Sequence, residues 1–152
     1  MPSIIDTSKL PELVEKHFGK ILSNLGYTFS QAKTEGDKYF KYIFTYTNST
    51  RKIKIDISND FELINYDLNC LVSLYKLPYQ DSYQSILYPN RYNHLRYNLP
   101  MDYDKYLIDQ KKNLLEEVNR VLGNYAILIF KGDLLDVVKG KNWYTNIHAP
   151  RD

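Results

Sequence analysis

The chain reads as an α+β domain, an antiparallel meander of four or slightly more strands with one face covered by two amphipathic helices. Three observations predict it. Residues 8–25 and 102–122 repeat apolar side chains at threes and fours. Residues from 27 to about 76 alternate at twos between short turn signals. The order helix, strands, helix suits two packed layers. A length of 152 residues is that of one compact domain, able to bury roughly 68–70% of its unfolded surface, so residues 1–152 are expected to form a single domain.

The first helix is expected over residues 8–25. Thr7 or Ser8 can cap it, and Pro11 and Glu12 in its first turn suit free N–H groups and the positive end of the dipole. Leu10, Leu13, Val14, Phe18, Ile21, Leu22 and Leu25 make its stripe, and Gly26 is a natural stop. The period then changes. Tyr27 and Phe29 open a strand, and Glu35-Gly36-Asp37 turns into Tyr39–Thr47, where Phe40, Tyr42, Phe44 and Tyr46 share one face and Ile43 takes the other. After Asn48-Ser49-Thr50, the isoleucines at 53, 55 and 57 alternate with Lys52, Lys54 and Asp56. Past Asn59-Asp60, Ile64, Tyr66, Leu68, Cys70, Val72 and Leu74 describe a long strand with one wet face. The helices are expected on the isoleucine face, leaving Lys52, Lys54 and Asp56 in water.

Periodicity fails between Leu77 and Pro100, where Pro78, Pro89 and several Asn argue for an irregular connection, residues 77–101. Asp102 or Asp104 is then expected to cap a second helix that ends at Gly123, with Asp109 and Lys112, and Glu116 and Arg120, paired on its wet side. The run Tyr125–Phe130 is open between strand and helix. A short helix at Leu134–Val138 and a tail anchored by Trp143 and Tyr144 complete the chain.

Composition narrows the function classes. Apolar residues at 43% and charged residues at 25% are ordinary globular values, which excludes disorder and fibrous repeats. Twenty Lys and Arg against 18 Asp and Glu leave +2, too little to make nucleic acid or anionic membrane the default partner. The first residues lack the pattern of a secretory signal, and the apolar run at 125–130 is far short of the roughly 20 residues of a membrane span, so a cytoplasmic location is expected. Abundant Asn, Ile, Lys and Tyr, read from AT-rich codons, fit a low-GC bacterial genome.

Chemistry-bearing motifs are absent. His17, His94 and His148 have no ligand spacing between them, and Cys70 in an alternating apolar segment reads as a buried small hydrophobe. There is no nucleophile elbow. Gly132 and Gly140 lack phosphate-loop spacing even though Gly140-Lys141 resembles half of one, and the pairs Asp102 and Asp104, and Asp133 and Asp136, are accounted for by helix starts. No catalytic residue, cofactor or metal is expected.

Tyrosine is the departure: 15 copies against six Phe and one Trp. Tyr75, Tyr79, Tyr83, Tyr88, Tyr92 and Tyr97 recur every four or five residues, with Arg91, His94 and Arg96 among them. Tyr and Arg dominate interface hot spots because each joins large area to a polar handle. Two readings stay open: a recognition surface made of Tyr79, Tyr83, Tyr88, Arg91, Tyr92, His94, Arg96 and Tyr97, or tyrosines that clamp a long loop to the sheet. Two alternatives stand beside protein binding, a small enzyme with a site between sheet and loop, and a single-stranded nucleic-acid binder that stacks bases on tyrosine. Nucleic acid is disfavoured, because residues 77–101 hold two Arg against one Asp.

The helix ending in Asn24-Leu25-Gly26-Tyr27-Thr28-Phe29, the strands Tyr42-Ile43-Phe44-Thr45-Tyr46 and Ile53-Lys54-Ile55-Asp56-Ile57, and the late Ile129-Phe130-Lys131-Gly132-Asp133 resemble small uncharacterised bacterial α+β proteins. Some of these are immunity proteins of polymorphic toxin systems. The resemblance follows the order of elements over most of the chain, and its local motifs, leucine-glycine-tyrosine and glycine-aspartate, carry over no functional residue. It implies a non-catalytic inhibitor whose partner is a protein, a cognate toxin. A basic nuclease is disfavoured as that toxin, because its inhibitor would be strongly acidic. Oligomeric state is open.

Overall fold

The computed structural model describes residues 5–37, 39–59, 67–79, 85–88, 103–132, 134–141 and 143. The first helix, α1, is continuous over residues 7–24: a 3-10 turn at Thr7–Lys9, α-helix at Leu10–Val14, a wider π turn at Glu15–Gly19 and α-helix again at Lys20–Asn24. Asp6 starts it, accepting a hydrogen bond from the Ser8 N–H at 3.1 Å, so the cap lies one or two residues before the expected Thr7 or Ser8. The π turn has a packing consequence. Leu10, Val14, Phe18 and Leu22 are spaced by four and all are fully buried. In a regular α-helix such a row drifts by about 40° per step, and the wider turn brings it back onto one line facing the sheet. Gly26, at φ +85°, closes α1 in a Schellman motif: its N–H reaches Ser23 O, and the Tyr27 N–H reaches Leu22 O.

Five strands follow, β1 Thr28–Glu35, β2 Phe40–Thr47, β3 Arg51–Asn59, β4 Leu68–Lys76 and β5 Ser85–Tyr88. They form one antiparallel meander in chain order, β1-β2-β3-β4-β5. The expected meander is therefore present, extended by β5 in a stretch read from sequence as irregular, where Ser85–Tyr88 pairs with Val72–Tyr75. The long strand after the third turn is described from Leu68, and Ile64 and Tyr66 lie outside the described residues. Register sets Tyr42, Phe44 and Tyr46 opposite Ile57, Ile55 and Ile53, and these opposite Cys70, Val72 and Leu74. All nine are buried, so this face carries the core.

The second helix, α2, is Leu114–Phe130, and here the structure corrects the expected 102–122. Residues Tyr103–Tyr106 form only a 3-10 turn. The cap is Asn113, whose side chain accepts from the Glu116 N–H at 3.0 Å, rather than Asp102 or Asp104. Asp109 and Lys112 lie ahead of the helix, 4.0 Å apart, and Arg120 pairs with Glu117 at 2.9 Å instead of with Glu116. Gly123 does not stop α2, which runs through it and settles Tyr125–Phe130 as helix. The glycine serves the helix–helix contact: a Cβ there would come within 3.2 Å of the His17 ring. Phe18 meets Phe130 edge-on at 5.7 Å. A last helix, α3, Leu135–Val138, ends in a second Schellman motif at Gly140, φ +79°. Gly140-Lys141 is thus a helix stop, with the Lys141 N–H bonded to Asp136 O.

Candidate interaction surface

β3 lies at the centre of the sheet, and its even residues face away from the helices. With the residues opposite them they build a second, partly open face: Lys41, Ile43 and Thr45 of β2, Lys52, Lys54, Asp56 and Ser58 of β3, Asn69, Leu71, Ser73 and Tyr75 of β4, exposed at Lys41, half-buried along β3 and buried at Ser73. Its charged groups among the described residues are three lysines and one aspartate. Lys41 is the aspartate's ion-pair partner, Nζ to Oδ2 at 3.8 Å, and among the described residues Lys54 has no acidic partner. Asp56 stands between Ile43 and Leu71 in the register, and its Oδ1 is buried without a hydrogen-bond donor. A carboxylate oxygen left this way is an uncompensated acceptor.

At one corner of this face the tyrosine-rich segment begins. Lys52 Nζ lies 4.6 Å from the centre of the Tyr75 ring, and Tyr75 meets Tyr79 edge-on at 5.5 Å. Tyr79 keeps half of its surface exposed. Of the candidates read from sequence, Tyr79 is therefore placed on the open corner, and the backbone of Tyr88 pairs with Val72 in β5. Tyr83, Arg91, Tyr92, His94, Arg96 and Tyr97 lie outside the described residues. The contribution of Lys52 and Tyr75 to this corner was not among the sequence candidates. Its signal is the alternation of β3, which sends Lys52 to the same face as a β4 tyrosine once the two strands pair.

The remaining polar side chains are engaged in holding the fold. Arg51, 7% exposed, donates from Nε to Val137 O at 2.8 Å and from Nη1 to Thr50 O at 3.0 Å, and its guanidinium lies 5.2 Å from the Trp143 ring centre. Beside it Tyr27 donates to Val138 O at 2.5 Å, and burial pushes its hydroxyl up to about 12. Glu117 accepts from Arg120 and from the Asp109 N–H, while Arg120 also donates to the carbonyls of Asp104 and Leu107. That ion pair anchors the connection ahead of α2, and the Arg120 hydrogen bond is the main cause that holds the Glu117 carboxyl below its ordinary range. His17 shares the Asn119 Oδ1 with Lys16, at 2.8 and 3.2 Å, across the α1–α2 contact.

Burial raises the Cys70 thiol far above the range in which a thiolate forms. Burial also raises the Tyr125 hydroxyl, and it raises that of Tyr46 to about 12; the Tyr46 oxygen has no hydrogen-bond partner. Glu35, the acceptor for Tyr42 and Thr7, is held low first by the Tyr42 hydroxyl. Among the described residues no group of three His, Cys, Asp or Glu is placed to hold a metal, and no helix is long and apolar enough to cross a membrane.

Comparison with protein-family models, with curated proteins and with solved structures returns no match.

Proposed function

We propose that this chain is a non-enzymatic protein-binding domain, most concretely an immunity or antitoxin-like inhibitor of a cognate bacterial toxin. The observation that carries the reading is the Lys52, Tyr75 and Tyr79 corner: a cation on a tyrosine ring, a second ring half exposed beside it, and a partly open, lysine-bearing sheet face running away from them. Exposed Tyr supplies contact area at low rotamer cost. Three lysines against one aspartate fit an acidic surface on the partner better than a basic nuclease. Of the residues read from the sequence as a recognition surface, Tyr79 is the one that supports this reading.

The test is capture by the tagged chain from nuclease-treated lysate of its source organism, at moderate salt, with a Lys52→Ala, Tyr79→Ala double variant as comparator. One stoichiometric protein is expected with the parent chain, and its affinity should fall by about 2–4 kcal/mol with the variant. Expressing the captured protein alone should arrest growth, and co-expressing the chain should relieve the arrest. A captured protein without toxicity removes the inhibitor reading and leaves protein binding. Capture that the double variant leaves unchanged, or retention of nucleic acid that falls steeply with salt, removes this surface as the docking site.

A further inference from the structure

The two edges of the sheet are finished differently. Beyond the end of β5, the edge of β4 is met by the Gln110 amide, which donates to Leu68 O at 2.8 Å and accepts from the Leu68 N–H at 2.9 Å, standing in for a further strand. β1, at the opposite edge, has nothing comparable among the described residues. All eight of its residues are exposed, they keep an unbroken register with β2, and they include no proline. Strand edges are normally blunted by shortness, a bulge, proline or charged side chains, because unpaired N–H and C=O groups invite another strand, and of these β1 carries only charge, at Lys33 and Glu35.

The direction of those groups follows from the hairpin. The Gly36 N–H donates to Tyr39 O at 2.8 Å, and hydrogen-bonded pairs recur every second residue of an antiparallel ladder. Thr34, Ala32, Ser30 and Thr28 therefore bond to β2. Phe29, Gln31, Lys33 and Glu35 present their N–H and C=O groups outward, and no hydrogen bond to these groups is found among the described residues. Phe29 adds an apolar ring, 50% exposed and 4.9 Å from Tyr46.

We propose that β1 is a self-association edge, along which two copies of the chain pair antiparallel about a two-fold axis through Ala32. A strand offered to this edge must set outward-facing residues opposite outward-facing residues. Centred on Ala32, Gln31 faces the second copy's Lys33 and Phe29 faces its Glu35, so all four outward residues of each copy exchange bonds. Moving the centre to Lys33 opposes two lysines. Moving it to Gln31 sets Glu35 opposite Tyr27, outside the strand. On the open face the seam meets only Ala32 against Ala32 and Ser30 against Thr34, small side chains that do not crowd. The two sheets join into one of ten strands with the helices of both copies on the same side.

The register makes the test positional. Ala32 and its copy form a non-hydrogen-bonded pair, with Cα atoms about 4.5 Å apart, within disulfide reach, whereas Ser30 and its copy are four positions out of step. In the full-length chain under mild oxidation, Ala32→Cys should form a disulfide-linked dimer about tenfold faster than Ser30→Cys. The parent chain, whose Cys70 is buried, sets the background. Sedimentation of the parent should show concentration-dependent dimerisation, and Gln31→Pro, which removes one outward N–H, should be monomeric with an unchanged circular dichroism spectrum. Equal cross-linking at both positions, a parent that sediments as a monomer at all concentrations, or a folded Gln31→Pro that still dimerises would overturn the proposal. Toxin capture through the open face is a separate readout and does not depend on this result.

Discussion

The two faces of β3 belong to one nine-residue strand and obey opposite rules. Ile53, Ile55 and Ile57 lie fully buried between β2, β4 and the helices, while Lys52, Lys54 and Asp56, one residue away, form the middle of a face that no described element covers. Backbone geometry is shared, so the difference is entirely in what meets each side chain. The covered face holds the domain together, and the other face carries the charge.

The sharpest way to break the comparison is substitution on either side of one peptide bond. Ile55→Ala is expected to lower unfolding stability by about 2–5 kcal/mol through lost burial and the cavity left behind. Lys54→Ala should stay within about 0.5 kcal/mol. Denaturant titration of both variants checks the pair, and equal losses would mean that the open face is covered in the folded protein.

Acid sharpens it next. Glu117 belongs to the helix layer, and its carboxyl is held below the ordinary range chiefly by the Arg120 hydrogen bond. A depressed folded value contributes stability that is present above the ordinary carboxyl range and lost as pH falls through the folded value. Glu117→Gln should therefore cost about 1–3 kcal/mol near pH 7, and the gap between variant and parent should close on acidification below about pH 4. A gap that persists unchanged in acid would assign the loss to shape rather than charge.

At the open corner the effect on stability is small and the effect on binding large. Lys52→Ala combined with Tyr79→Ala removes one cation–ring contact and one ring edge, about 0.5–1 kcal/mol of stability. Thermal unfolding should scarcely move while partner capture fails. A collapse of the fold would make Tyr75 and Tyr79 a clamp rather than a recognition surface.

Much of this contrast was legible in the chain itself. Alternation of Ile with Lys and Asp over 52–57 placed β3 and named its wet face, and the four-residue stripe of α1 with Gly26 placed the first helix. The boundaries of α2 were misread for a physical reason: Gly123 looks like a stop, yet its missing side chain makes room for the His17 ring from a helix about a hundred positions earlier. The true cap, Asn113, competed with two aspartates better placed ahead of the apolar run. β5 was illegible because four residues cannot establish a period and its pairing depends on β4. The open corner was half legible: tyrosine spacing pointed to Tyr79, but Lys52 and Tyr75 become neighbours only after β3 and β4 align.

Arg51 and Tyr27 put an order into biosynthesis. Both side chains are made early and buried in the finished fold, and the carbonyls that accept their hydrogen bonds belong to Val137 and Val138 near the other end of the described chain. A nascent chain emerging from the ribosome carries every strand of the sheet long before it carries those acceptors. Until residue 137 is free, the guanidinium lacks the carbonyl that accepts from its Nε, and burying a donor without its acceptor is costly. The short helix α3 therefore completes the hydrogen bonds of this buried pair only after every described strand has been made.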